Sequence, residues 1–131
     1  MKFIDLFAGI GGFRLGMERA GHECMAFCEI DKFARATYEA NFNTQNEVKW
    51  QDITKVTDEE IKEFGKTHTT DLICGGFPCQ SFSVAGKRRG FEDTRGTMFF
   101  EIMRFVYILR PKYLFFENVK GILSHEGGAN I

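Results

Sequence analysis

Cys79 is the residue whose surroundings first suggest chemistry. It lies in Gly75-Gly76-Phe77-Pro78-Cys79-Gln80-Ser81-Phe82-Ser83, directly after the short apolar run Asp71-Leu72-Ile73-Cys74, which reads as a buried strand. A thiol beside a proline, at the mouth of a strand and flanked by glycines, is read as a catalytic nucleophile. A free thiol ionises near about pH 8.5, so it needs activation at neutral pH. The basic residues Lys87, Arg88, Arg89 and Arg95 follow in the same loop. They could lower that value, or contact nucleic-acid phosphates, which position a duplex without specifying its sequence. Glu117 is the second candidate, at the end of the aromatic run 113–116. At the edge of a core, desolvation is expected to raise its pKa, and a protonated carboxyl can act as an acid toward a ring nitrogen. Inert packing for the thiol and a helix-capping role for the glutamate are the bland alternatives.

A third constellation is Phe7-Ala8-Gly9-Ile10-Gly11-Gly12, where glycines let a backbone pass close to a ligand. Glu29 follows at the distance at which a carboxylate meets ribose hydroxyls in nucleotide-binding sheets. The turn departs from G-x-G-x-x-G, because Phe13 and Arg14 come after Gly12. A nucleoside without a pyrophosphate therefore suits it better than a dinucleotide, and S-adenosylmethionine is such a ligand. Asp52 could accept a hydrogen bond from an adenine amine, or serve only as a cap.

The elements that must position these residues alternate between strand and helix. Strands are expected over 2–7, 22–30, 48–53, 71–74 and 113–116. Helices are expected over 13–20, 32–41, 58–64 and 97–109. Asp31 caps the second helix, whose inner stripe is Phe33, Ala34, Ala36, Thr37 and Ala40. Thr57 and Glu60 form a capping box for the third. In the first helix Phe13, Leu15, Met17 and Ala20 are the apolar set and Arg14, Glu18 and Arg19 the charged one. Phe100, Met103, Phe105, Val106 and Leu109 line the last. From 76 to 96 no element is convincing, and a loop of that length is usually functional. The pattern predicts an α/β fold, a doubly wound Rossmann-like parallel sheet. In such sheets ligands gather at the carboxyl ends of the strands, which is where Gly9, Gly11, Glu29, Asp52, Cys79 and Glu117 fall.

Composition sets the outer limits. The chain has 131 residues, 44% of them hydrophobic, with 15 phenylalanines, which suits a single domain with a packed core. A formal charge of −1 excludes a broadly basic coat, so nucleic-acid contacts must be local. No run reaches the roughly 18 apolar residues of a membrane span, and no signal-peptide pattern opens the chain. The four cysteines lack the CxxC spacing of structural zinc sites, so no metal is expected. Cys24, Cys28 and Cys74 read as small core residues in a reducing cytoplasm.

Taken whole, the sequence resembles the N-terminal part of the catalytic domain of C5-cytosine DNA methyltransferases of the bacterial restriction-modification type. Asp5-Leu6-Phe7-Ala8-Gly9-Ile10-Gly11-Gly12-Phe13 resembles the family's first motif, for S-adenosylmethionine. Glu29-Ile30-Asp31 and Asp52-Ile53 resemble those holding ribose and adenine. Gly76-Phe77-Pro78-Cys79-Gln80-Ser81-Phe82-Ser83 resembles the nucleophile motif. Arg95-Gly96-Thr97-Met98-Phe99-Phe100 resembles the motif after the mobile loop, and Glu117-Asn118-Val119-Lys120-Gly121 the one with the essential glutamate.

The resemblance implies that Cys79 attacks C6 of a cytosine flipped out of double-stranded DNA, while Glu117 holds its N3 edge. C5 then takes the methyl group of S-adenosylmethionine. It implies that Phe7, Ala8, Gly9, Gly11, Gly12, Glu29, Ile30, Asp52, Ile53, Phe77 and Pro78 bind the cofactor. Gln80, Ser83, Lys87, Arg88, Arg89 and Arg95 would form a loop facing DNA. Phe77 and Ser81-Phe82-Ser83 favour DNA over the tRNA substrate of the eukaryotic relatives, so an RNA cytosine-5 methyltransferase is the weaker option. The family's later arginine motif, target-recognition domain and final strands have no counterpart here. The expectation is a sheet that stops after about five strands, with an exposed apolar edge. A complementing C-terminal chain, or self-association, would then be needed. The alternatives are a remnant that only binds cofactor, DNA or a partner, and a dinucleotide oxidoreductase. A bacterial or phage-encoded cytoplasmic protein is expected.

Overall fold

β1 (Lys2–Leu6) runs through the middle of the sheet, and every residue after Lys2 is buried. A strand covered on both faces reads as a continuous apolar run, and Asp5 is the single polar residue in it. The computed structural model describes residues 1–76 and 94–117, and of 94–97 the backbone alone. β1 pairs in parallel with β2 (Glu23–Cys28) on one side and β4 (Leu72–Gly76) on the other. β3 (Val48–Trp50) lies outside β2, and β5 (Tyr113–Glu117) outside β4, giving the parallel order β3-β2-β1-β4-β5. The strand order reverses between β1 and β4. This is the doubly wound arrangement expected from the alternation of elements.

α1 (Gly12–Arg19) and α2 (Lys32–Asn41) cross from β1 to β2 to β3. α3 (Asp58–Thr67) and α4 (Thr94–Leu109) carry the chain back to β4 and on to β5. Right-handed crossovers put the two pairs on opposite faces. Side chains follow the period of two: Ile4 and Leu6 pack with Ile61, Phe64, Ile102 and Phe105 of α3 and α4, whereas Phe3 packs with Met17 of α1. Asp31 caps α2 by accepting from the Phe33 amide at 3.0 Å. Thr57 and Glu60 form the expected reciprocal capping box on α3. Arg110, in the left-handed region (φ 52°), and Pro111 stop α4. Among the described residues no helix is long and apolar enough to cross a membrane.

Several expectations need correction. The predicted inner stripe of α2 does not face the sheet: Phe33 is 73% exposed, and Ala36, Thr37 and Ala40 are exposed too. Tyr38 is the buried contact instead, stacked on Phe27 of β2 at 4.3 Å between ring centroids. One large aromatic anchors more surface than several alanines, and it sets the rotation of the helix. Arg14, expected on the solvent face of α1, is 2% exposed. β3 stops at Trp50 and not at residue 53. There Asp52 accepts from the Thr54 amide and hydroxyl, at 3.0 and 2.6 Å, and turns the chain into a 3-10 turn at Ile53–Lys55. α4 starts at Thr94, inside the stretch read as loop, and its Phe100 is exposed while Ile102 and Phe105 are buried. Residues 77–93 of that loop lie outside the described residues.

Candidate active site

The turn after β1 is bent by left-handed backbone at Phe7 (φ 52°), Gly9 (φ 59°) and Gly11 (φ 102°). At Gly11 the space is closed as well, since a Cβ there would lie 2.2 Å from the Phe42 ring. The turn is moored to the neighbouring strand by the Ala8 amide, which donates to the Cys28 carbonyl at 3.0 Å. Glu29 follows β2 immediately. Its Oε1 accepts from the Gly9 amide at 2.7 Å and its Oε2 from the Asp31 amide at 2.9 Å. Arg35, one turn into α2, donates to the Glu29 carbonyl at 2.8 Å. The carboxylate is thus fixed by the turn, the strand end and the next helix, and each oxygen keeps lone-pair capacity for a ligand hydroxyl. α1 opens over the same turn with no side-chain cap and no acidic residue in its first turn, so its positive end remains available.

The second carboxylate of this end is Asp52. Hydrogen bonds from the Thr54 side chain, then from the Thr54 amide, hold its pKa below the ordinary carboxylate range. Glu29 and Asp52 flank Cys28, whose thiol is pushed up to about 12, first by burial and then by these two charges. Arg104 of α4 ties this corner down. It donates to the Ile53 and Val56 carbonyls at 3.0 and 2.8 Å and pairs with Asp58 at 2.8 Å. Ile30 is exposed beside Glu29. The Ile53 side chain, by contrast, packs in the core, and its carbonyl accepts from Arg104.

At the other side of the reversal point, β4 and β5 end together, with Gly76 opposite Glu117. The Glu117 Oε1 lies 3.5 Å from where a Cβ on Gly76 would be. The carboxylate therefore leans over the mouth of β4. It is exposed, so the desolvated core edge expected for it is not what surrounds it. Gly75 is required for the approach of β4 to β1: a Cβ there would lie 1.9 Å from the Leu6 carbonyl oxygen. Cys79, Phe77, Pro78, Gln80, Ser83, Lys87, Arg88 and Arg89 lie outside the described residues, as does the side chain of Arg95 in the first turn of α4.

Behind the turn is a polar network that the pattern of residue types did not reveal. Arg14 makes a bidentate pair with Glu47, at 2.7 and 2.5 Å, and donates to the Tyr38 hydroxyl at 3.2 Å. That hydroxyl donates to Asp5 Oδ2 at 3.0 Å, and the Cys74 thiol approaches Oδ1 at 3.9 Å. Burial works against the charge of Arg14, but its bonds with Glu47 and Tyr38 outweigh this and hold its pKa above the ordinary value. Asp5 is pushed up to about 7 by burial, against the lowering pull of Tyr38 and Arg14. The signal available in the sequence was a charged residue inside a buried strand.

Cys24, Cys28 and Cys74 are free and buried, as expected of core residues. Burial raises the pKa of Cys24 and Cys74 too. Iodoacetamide applied to the native protein at neutral pH should leave these thiols unmodified, as read by peptide mass spectrometry. Modification of any of them at the rate of an unfolded control would contradict the packing described.

The profile of the C-5 cytosine-specific DNA methylase family matches residues 1–131. The Type II methyltransferase M.HhaI of Haemophilus parahaemolyticus is 49% identical over 128 residues, 98% of this chain and 36% of that protein. M.HpaII of Haemophilus parainfluenzae is 50% identical over 129 residues, 98% of this chain and 34% of the relative. A solved E. coli structure assigned as a prophage-encoded DNA modification methyltransferase superposes with a TM-score of 0.77 at 34% identity, covering 96% of this chain and 34% of the other. The S. pombe Dnmt2 methyltransferase, at 19% identity and a TM-score of 0.71 over 99% of this chain and 38% of its own, shares the fold. This chain thus spans about a third of the length of the curated relatives it matches. With the family profile matched from end to end and the glycine turn, Glu29 and Glu117 set at the carboxyl ends of one parallel sheet, the chain belongs to the C-5 cytosine-specific DNA methylase family.

Proposed function

We propose that this chain is the cofactor-binding and nucleophile-bearing part of a DNA (cytosine-5)-methyltransferase, acting with the remainder of a family-length enzyme on double-stranded DNA. The observation that carries the reading is the Glu29 carboxylate, locked to the Gly9 amide at 2.7 Å beside the uncapped start of α1. An acceptor held there suits the two hydroxyls of a ribose, and the positive helix end suits the carboxylate of a methionine moiety. The residues present therefore fit S-adenosylmethionine, with Asp52 offering an ionised acceptor to the adenine amine. When bound, that cofactor supplies an electrophilic methyl group.

The chain's own residues would act on the cytosine. Once deprotonated, Cys79 adds through sulfur to C6, and the electron pair of the C5–C6 double bond moves onto the ring. Glu117, leaning over the end of β4, protonates or hydrogen-bonds N3 and stabilises the charge that develops there. C5 becomes nucleophilic and would take the methyl carbon as the carbon–sulfur bond of the cofactor breaks, the electron pair of that bond staying on sulfur in a neutral thioether product. A base then takes the C5 proton, the double bond re-forms, and the Cys79 thiolate leaves. Phe77, Pro78, Gln80, Ser83 and the basic run Lys87, Arg88, Arg89 and Arg95 border this site in sequence, and phosphate contacts by the basic run would hold the DNA over it. The relatives include bacterial and phage proteins, and the bacterial cytoplasm is where such DNA is met.

Calorimetric titration with S-adenosylmethionine tests the reading. Glu29→Gln leaves an amide group facing the Asp31 N–H and removes the charge that accepts from the ribose. Affinity should fall by roughly tenfold or more, the scale of one hydrogen bond to a charged group. Cys79→Ser should bind the cofactor as the parent does. Equal affinity in Glu29→Gln would remove Glu29 from the site, and no saturable heat from the parent chain would remove the cofactor.

A further inference from the structure

The glycine turn after β1 rests on a side chain from the far end of α2. Phe42 closes that helix, its amide donating to the Tyr38 carbonyl at 3.0 Å. Closing a helix asks nothing of the side chain except a place to pack. The Phe42 ring, half-buried, finds one against the cluster of Ala8, Phe27 and Tyr38. It also reaches beyond that cluster: its edge fills the space that a side chain on Gly11 would take. Gly11 is buried and is the N-cap of α1. Its carbonyl accepts from the Leu15 amide at 2.9 Å, and its own amide closes the turn on the Ala8 carbonyl at 3.0 Å. A displacement of Gly11 therefore moves both the start of α1 and the turn that carries the Gly9 amide.

The ring is itself held by α1. Arg14, in the first turn of that helix, places its guanidinium 4.9 Å from the Phe42 centroid and donates to the carbonyl of the next residue, Asn43, at 3.2 Å. The bidentate pair with Glu47 keeps the guanidinium in place. One short helix thus grips residues 42 and 43 through Arg14 and leans on the same ring through Gly11. Close-packed groups transmit a displacement to their neighbours. A ligand site keeps its geometry only where the residues behind it are locked by packing and hydrogen bonds, and Phe42 is locked by both.

We propose that Phe42, clamped by Arg14, is a positioning residue for the cofactor turn: its ring is the stop that holds Gly11, and with it the Gly9 amide and the start of α1, where the cofactor meets them. This rests on the reading of that turn as an S-adenosylmethionine site. Phe42→Leu keeps an apolar contact for Tyr38 but offers no flat ring to Gly11 and Arg14. Its control is Phe64→Leu, which removes a ring packed on Trp50 at the opposite face of the sheet and so tests lost stability alone. Each is read twice: by hydrogen exchange of the Gly9 amide in NMR without ligand, and by calorimetric titration with S-adenosylmethionine. In Phe42→Leu, local opening of the turn should speed Gly9 exchange by roughly tenfold or more. The apparent Kd should rise roughly tenfold, the effect of a competent turn populated in about a tenth of the molecules. Phe64→Leu should leave both readouts as in the parent, even where it melts as low as Phe42→Leu. If Phe42→Leu does not fold, Phe42→Met, which fills more of the space, takes its place. Unchanged Gly9 exchange or unchanged affinity at position 42, or equal changes in Phe64→Leu, would overturn the proposal. A parent chain that binds no S-adenosylmethionine would instead remove the cofactor reading, and Gly9 exchange would still decide whether Phe42 holds the turn.

Discussion

Replacing Arg14 with methionine should destabilise the chain by about 3–5 kcal/mol, the range for breaking one side of a buried ion pair. That is a large fraction of the roughly 5–15 kcal/mol that holds a domain together. The Glu47 side chain, 10% exposed and held by a bidentate pair, would keep its charge with no counter-ion. The Tyr38 hydroxyl would lose the Arg14 N–H that it accepts, and the cation lying over the Tyr38 and Phe42 rings, at 5.3 and 4.9 Å, would go with it. Urea unfolding of Arg14→Met, Glu47→Met and the double variant closes a thermodynamic cycle. Each single change should be severe, and the double variant should recover most of the loss, because a well-packed apolar pair can replace a buried salt bridge without penalty. A loss below about 1 kcal/mol in Arg14→Met, or strict additivity in the double variant, would show that the network carries no such energy.

Asp5 gives the second large effect, and here the variable is pH. Its folded pKa of about 7 stands above the ordinary aspartate value of 3.8, so the folded state holds the proton more tightly than the unfolded chain. Stability is then greatest below the unfolded value. It is lost as pH rises through that value and up to the folded one. The full span is worth about 4 kcal/mol, and the part between pH 5 and pH 8 roughly 2–3 kcal/mol. Asn at this position can still accept from Tyr38 but cannot ionise. The stability of Asp5→Asn relative to the parent should therefore climb by that amount from pH 5 to pH 8, read from denaturant midpoints at each pH. Parallel curves for the two proteins would mean that Asp5 stays in one protonation state throughout. Asp5 stands on β1 one residue before Leu6 and the turn that grips Glu29.

The sheet, its order of elements and the capping of α2 and α3 were legible because local chemistry encodes them. Asp31 and the Thr57–Glu60 pair work within a few residues of chain, and the alternation of strand and helix is a long-range pattern written in short runs. The place of Glu29, just after β2 and beside the glycine turn, was legible for the same reason, since strand ends and glycines are marked by local residue types. What escaped was decided by tertiary packing. The orientation of α2 depends on Tyr38 finding Phe27 and Asp5, and nothing in the helix itself ranks one tyrosine above four alanine and threonine positions. Arg14 looked like a surface charge because its partner Glu47 is far along the chain, on the approach to β3. The exposure of Glu117 and the burial of Ile53 likewise follow from neighbours contributed by other elements.

The position of β1 has a consequence for how the chain is made. β1 is made before either of the strands that flank it, and one of them, β4, is some seventy residues downstream: Asp71 meets the Lys2 backbone through its own amide, at 2.8 Å, as well as through its side chain. Pairing of β1 with β2 can begin early, but its other edge stays open until β4 has been synthesised. At about 5–20 residues per second that interval lasts several seconds, long against the microseconds in which a chain collapses. Non-local parallel pairing is slow to form and leaves strand edges available for wrong partners. Until then the nascent chain carries its central strand with one edge open, and the strand that completes it is the one leading directly to Cys79.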